Sequence, residues 1–89
     1  IIYYPSFMEN LHILYPLYLD GYPIVTIDSY ISSIDLPAVI SDNLSGGYEA
    51  TKYLIELGHK RIAYVSNVYI HNISSVRDRF FGYCRAFDF

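Results

Sequence analysis

S-D-N-L-S-G-G-Y-E-A-T-K-Y-L-I-E-L-G-H-K-R-I-A-Y-V-S, from Ser41 to Ser66, reads as loop, helix and strand. Asp42, Asn43 and Ser45 offer side-chain oxygens where a starting helix has free N–H groups. Leu44, Tyr48, Thr51, Leu54 and Ile55 recur at helical spacing and predict one buried stripe. Glu49, Lys52 and Glu56 fall on the other face, where opposite charges three or four apart give weak support. Gly58 stands where a helix takes a left-handed closing residue. Ile62 to Ser66 is short, apolar and partly β-branched, which predicts a buried strand.

Upstream, Ile1 to Tyr4 predicts a buried strand ended by Pro5, which cannot donate to a ladder. Ser6 to Asp20 carries apolar residues at roughly helical spacing, with Pro16 inside to kink the helix or delay its start. Gly21 closes it, and Pro23 opens the next element. Ile24 to Ile27 predicts a second buried strand, closed by Asp28. Ser29 to Leu36 reads as a polar loop and Pro37 to Ser41 as a third short strand.

Downstream, Val68 to Ile73 reads as a loop containing His71 and Asn72. A last helix is expected from Ser74 or Ser75, with Ser75 and Asp78 spaced as a capping pair. Val76, Phe80, Tyr83 and Phe87 form its apolar stripe, and Cys84 beside them is expected to be buried and inert. Strands alternating with helices predict an α/β fold with a parallel sheet in Rossmann-like layers.

With 53% hydrophobic residues the chain has the apolar surface to collapse, and its longest apolar runs are too short to span a bilayer. All six Lys and Arg residues lie at Lys52 or later. They are spread through helices rather than clustered, so the chain is not expected to grip DNA itself. One cysteine allows no internal disulfide and is compatible with a reducing cytoplasm. His12, His59 and His71 show no metal-ligand spacing, so no metal is expected. Gly46-Gly47 lacks the rest of a dinucleotide fingerprint, which points to close helix packing or a tight crossing and to no cofactor.

Asp28 ends a strand, and open α/β sheets collect ligands beyond the carboxyl ends of strands. It could accept from paired sugar hydroxyls, or simply cap its own loop. Ser75 and Arg79 share a helical face near a helix N-terminus. They could make forked contacts to ligand oxygens, or be an ordinary cap and a solvated arginine.

D-N-x-x-G-G-x-x-A-T-x-x-L-I-x-L-G-H-x-R-I-A from Asp42, followed by S-S-V-R-D-R-F-F-G-Y from Ser74, resembles the ligand-binding domain of the lactose-repressor (LacI/GalR) family of bacterial transcription regulators. The same domain occurs behind GntR-type DNA-binding heads in arabinose-repressor-like proteins. The resemblance runs along nearly the whole chain and implies the middle of a longer, periplasmic-binding-protein-like domain. Such a domain has two lobes with a ligand cleft between them. The resemblance places residues 1–41 in the first lobe and 42–89 in the second. P-x-V-x-x-D ending at Asp28, Ser75, and R-x-x-G-Y starting at Arg79 match ligand-contacting positions of the family. Tyr3 matches a cleft-lining one, although a strand tyrosine also serves packing.

The implied function is sensing of a small-molecule effector, a sugar, by a cytoplasmic homodimer that reaches DNA through a separate N-terminal head. A periplasmic-type sugar-binding protein is the alternative within the fold. A sugar-modifying enzyme would need to draw on Asp28, Asp42, His71 and Ser75, whose spacing is diagnostic of no mechanism.

Overall fold

The computed structural model describes residues 1–5, 11–67 and 73–87. Three short strands form one parallel sheet in the order β1 (Ile2–Tyr3), β2 (Val25–Ile27), β3 (Ala38–Val39). Tyr3 pairs with Thr26, and Ile27 with Val39. Each strand is shorter than its apolar stretch, and the first is not buried as expected, since Ile2 keeps 73% of its surface exposed on a strand at the sheet's edge. The parallel direction and the α/β class are as the alternation implies.

Between β1 and β2 runs α1 (Leu11–Leu19), with Pro16 inside it. The expected start at Ser6 lies outside the described residues. Gly21 then takes φ +83, a value glycine reaches without steric cost. Leu14 of α1 packs with Ile24, Ile31 and Ile34 as the buried core, and Tyr3, Leu11, Leu17, Tyr18 and Leu36 pack against it. The stretch after β2 is therefore not simply polar. Its two isoleucines fold back under α1, because two β-branched side chains with no regular period still gain by leaving water.

Two longer helices make the other packing unit. α2 (Asn43–Glu56) is capped by Asp42, and Gly58 follows it at φ +96. Lys52 and Glu56 approach to 3.9 Å on its exposed side. The predicted stripe is only partly covered: Thr51 is buried, while Leu54 keeps 37% of its surface. α3 (Ser74–Arg85) lies across α2 at close range. A Cβ on Gly47 would stand 2.1 Å from the Arg79 carbonyl oxygen, and one on Gly82 would stand 2.1 Å from that of Leu44. Gly47 and Gly82 thus let the backbones touch, so of the Gly46-Gly47 pair it is Gly47 that makes the expected close packing.

Three further expectations need correction. Residues 62–66 form no strand, although their pattern is extended: Ile62 and Tyr64 are half-buried while Ala63 and Val65 are exposed. Tyr64 packs edge-on against Phe80 and tilted against Tyr83, and the Tyr83 hydroxyl donates to the Ile62 carbonyl at 2.6 Å. A strand also needs a neighbour in register, and no described strand lies alongside. Ser75 and Asp78 do not cap α3: its N-cap is Ile73, with no side-chain bond. Cys84 is exposed, because the stripe of Phe80 and Tyr83 faces Tyr64 and leaves the next residue on the outer side.

Candidate functional site

The carboxyl edge of the sheet is built by the turn that leaves β2. Asp28 N–H still donates to the Val39 carbonyl at 2.9 Å, and Ser29 N–H turns back to Ile27 at 2.8 Å. Asp28 itself sits at φ 71, a left-handed conformation that aspartate tolerates better than most residues. Ser29 is then buried and points at α3.

The first turn of α3 meets this loop through its hydroxyls. Ser29 Oγ donates to Ser75 Oγ at 2.9 Å, and Ser75 Oγ donates to Asp28 Oδ2 at 3.3 Å. Ser74 Oγ accepts from the Tyr30 N–H at 2.8 Å. Ser74 and Ser75 thus serve residues more than forty positions away instead of capping their own helix, which explains the absent capping pair. Asp28 and Ser75, two of the site residues expected from sequence, come together. Ser29, Ser74 and Tyr30 join them, and no local spacing could have shown it, since the two halves of the contact are far apart in the chain.

Arg79 takes a different partner. Its Nε donates to Asn43 Oδ1 at 3.0 Å, while Asn43 Nδ2 donates to the Ser41 carbonyl at 3.1 Å. Among the described residues the terminal nitrogens of its fork make no bond. Asn43 is buried at the start of α2, so it is a bracket for Arg79 rather than the simple cap its position suggests. The cap is Asp42. Its carboxyl is held below the ordinary carboxylate range, first by the Ser45 N–H at 3.1 Å and then by the Ser45 hydroxyl at 2.8 Å. Tyr3, the last residue of β1, packs on the core one strand away from Thr26.

An apolar hollow of about 540 Å³ lies elsewhere, between Ile1, Tyr18, Tyr22, Pro23, Leu36 and Pro37. These residues flank the amino ends of the strands, the edge opposite to the one at which parallel sheets take ligands. Among the described residues no three of His, Cys, Asp and Glu gather as a metal site. None of the described helices is long and apolar enough to cross a membrane.

A carboxylate and a serine hydroxyl at one sheet edge offer acceptors and a donor to a polar ligand. The sequence model described as "Periplasmic binding proteins and sugar binding domain of LacI family" matches residues 6–88. The chain belongs to that family. Among LacI-type relatives, the HTH-type transcriptional repressor CytR of Escherichia coli (strain K12) is 39% identical over 44 residues, which is 49% of this chain and 13% of that protein. The arabinose metabolism transcriptional repressor of Halalkalibacterium halodurans is 37% identical over 59 residues, covering 64% of this chain and 16% of the repressor. The chain therefore spans less than a fifth of the length of these curated relatives. No solved structure matches it.

Proposed function

We propose that this chain is part of the effector-sensing domain of a bacterial transcription regulator, and that its effector is a sugar held between the loop after β2 and α3. One observation carries the reading. Asp28 and Ser75, forty-seven residues apart, meet at the carboxyl edge of a parallel sheet in a chain of the LacI-type family. The two relatives named above are both repressors, which favours a regulator over a periplasmic binding protein and over an enzyme.

In this reading residues 1–41 belong to one lobe and 42–89 to the other, with the crossing at Ser41 and Asp42. Asp28 accepts ligand hydroxyls, Ser75 donates one and accepts another, and Arg79 lends the open end of its fork. Tyr3 closes the neighbouring strand end. The effector shifts a balance between two lobe arrangements by binding one of them better. DNA contact is made by a separate N-terminal head, in a cytoplasmic homodimer.

The test is effector binding by the full-length protein, screened by thermal shift against pentoses, hexoses and sugar phosphates. A ligand at 100 times its Kd should stabilise by about 2.7 kcal/mol. Arg79→Ala is expected to weaken the sugar that scores by roughly tenfold to a hundredfold, as loss of a charged donor does, while operator binding persists. Arg85, exposed at the far end of α3, is the control. Parent-like sugar binding by Arg79→Ala, or equal loss in Arg85→Ala, sinks the site.

A further inference from the structure

The contact between the loop and α3 has a second layer outside the residues assigned to the ligand. The Tyr30 hydroxyl donates to Asp78 Oδ2 at 3.4 Å and accepts from an Arg77 Nη. Arg77 also faces Asp78 Oδ1 through Nε at 3.4 Å, and its guanidinium lies 5.5 Å from the Tyr30 ring centroid and 5.9 Å from that of Phe81. The pair is partly shielded, with Arg77 and Asp78 side chains 27% and 20% exposed. A tyrosine whose hydroxyl serves both members of an ion pair, with the cation against its ring, is held at both ends. Its backbone N–H is also taken by Ser74. Tyr30 is therefore tied to α3 three ways, and it stands two residues from Asp28.

What this tie holds closed is the Asp28–Ser75 contact. In the arrangement seen, Ser75 Oγ gives its proton to Asp28, and Ser29 gives its own to Ser75. A ligand hydroxyl that bridges Asp28 Oδ2 and Ser75 Oγ has to replace that bond, and placing an oxygen between two atoms now 3.3 Å apart moves loop and helix apart. We propose that Tyr30, with Arg77 and Asp78, is a clasp that stabilises the self-bonded arrangement of the site and so sets its apparent affinity for effector. The inference rests on the reading of Asp28 and Ser75 as ligand contacts. Its logic is that of a competent state only fractionally populated: apparent Kd rises as that fraction falls. Tyr30 is thus a positioning residue, acting on ligand through Asp28 and Ser75 without touching it.

Tyr30→Phe keeps the ring over Arg77 and removes only the hydroxyl. Isothermal titration of the full-length protein with L-arabinose, or with the sugar that scores in the screen, reads the effect. The expected result is an apparent Kd about three- to tenfold lower than the parent's, corresponding to about 0.7–1.4 kcal/mol. Arg77→Gln should move Kd the same way, and the double variant no further than the larger single effect, because the three groups act as one unit. An unchanged Kd with a lowered melting temperature makes Tyr30 merely structural and overturns the clasp. A weaker Kd makes it a preorganising contact and overturns it too. A parent that binds none of the sugars sinks the site reading and this inference together. Failure of the clasp alone shows as normal binding by the parent with no gain in the variants.

Discussion

Asp42 is fully exposed, yet both its oxygens are engaged by Ser45, and that pairing starts α2. Both bonds favour the ionised form, so the folded pKa lies below the unfolded one. The sign follows from linkage: the contribution is fully present above the unfolded carboxylate range and is lost as pH falls through the folded value. Asp42→Ala should therefore destabilise α2 near neutral pH, and the gap between parent and variant should narrow in acid. Urea unfolding followed by circular dichroism across that range checks it; a gap that does not depend on pH contradicts the assignment. This cap was legible in the sequence because donor and acceptor lie three residues apart. Ser75 looked like a similar cap and is not one. Its partners, Ser29 and Asp28, are 46 and 47 residues away, beyond any local pattern. Separations of 36 to 48 residues likewise hid Tyr30 and the bracketing of Arg79 by Asn43.

Elements were legible where one stretch carries its own reasons to form. α2 has a cap and a left-handed stop at Gly58, and both appear, while its stripe is buried only at Thr51. Residues 62–66 carry a strand's composition, but a strand is completed by a neighbour, and the segment lies on α3 through Tyr64 instead. The meeting of α2 and α3 depends on which glycine faces the partner. Gly46 has open space around its missing Cβ, whereas a Cβ on Gly47 would meet the Arg79 carbonyl oxygen, carbonyl carbon and Cα all within 3.0 Å. Backbone atoms cannot swing aside as a side-chain tip can, so the helices would have to separate. Gly47→Ala should cost about 1–3 kcal/mol or more as overpacking. Gly46→Ala should be neutral or stabilise by up to about 1 kcal/mol, since alanine loses less backbone freedom in a helix. Neighbouring substitutions of opposite sign in chemical denaturation are the signature; equal effects would mean that the crossing is looser than described.

At the scale of the molecule the chain is long and thin, 53 × 22 × 18 Å, with a radius of gyration of 15.9 Å. A compact chain of this length would have about 12 Å. Its accessible surface is 6325 Å², against about 5,400 Å² for a typical monomer of this mass. The excess is partly apolar: Val39 on the outer strand β3 is 67% exposed, and Val65 is 91% exposed. An open strand edge carrying apolar side chains favours pairing with another copy. The isolated chain should accordingly self-associate, with an apparent mass in sedimentation equilibrium that rises with concentration. Val39→Lys should oppose this by placing a charge on the open edge. Losing the burial of one valine, about 1.5 kcal/mol, corresponds to roughly tenfold weaker association. Salt separates this cause from charge pairing: apolar association should persist at high ionic strength, where exposed charges more than about a Debye length apart are screened. A parent chain that sediments as a monomer at every concentration, or an Val39→Lys variant that associates equally well, would show that this edge does not drive self-association.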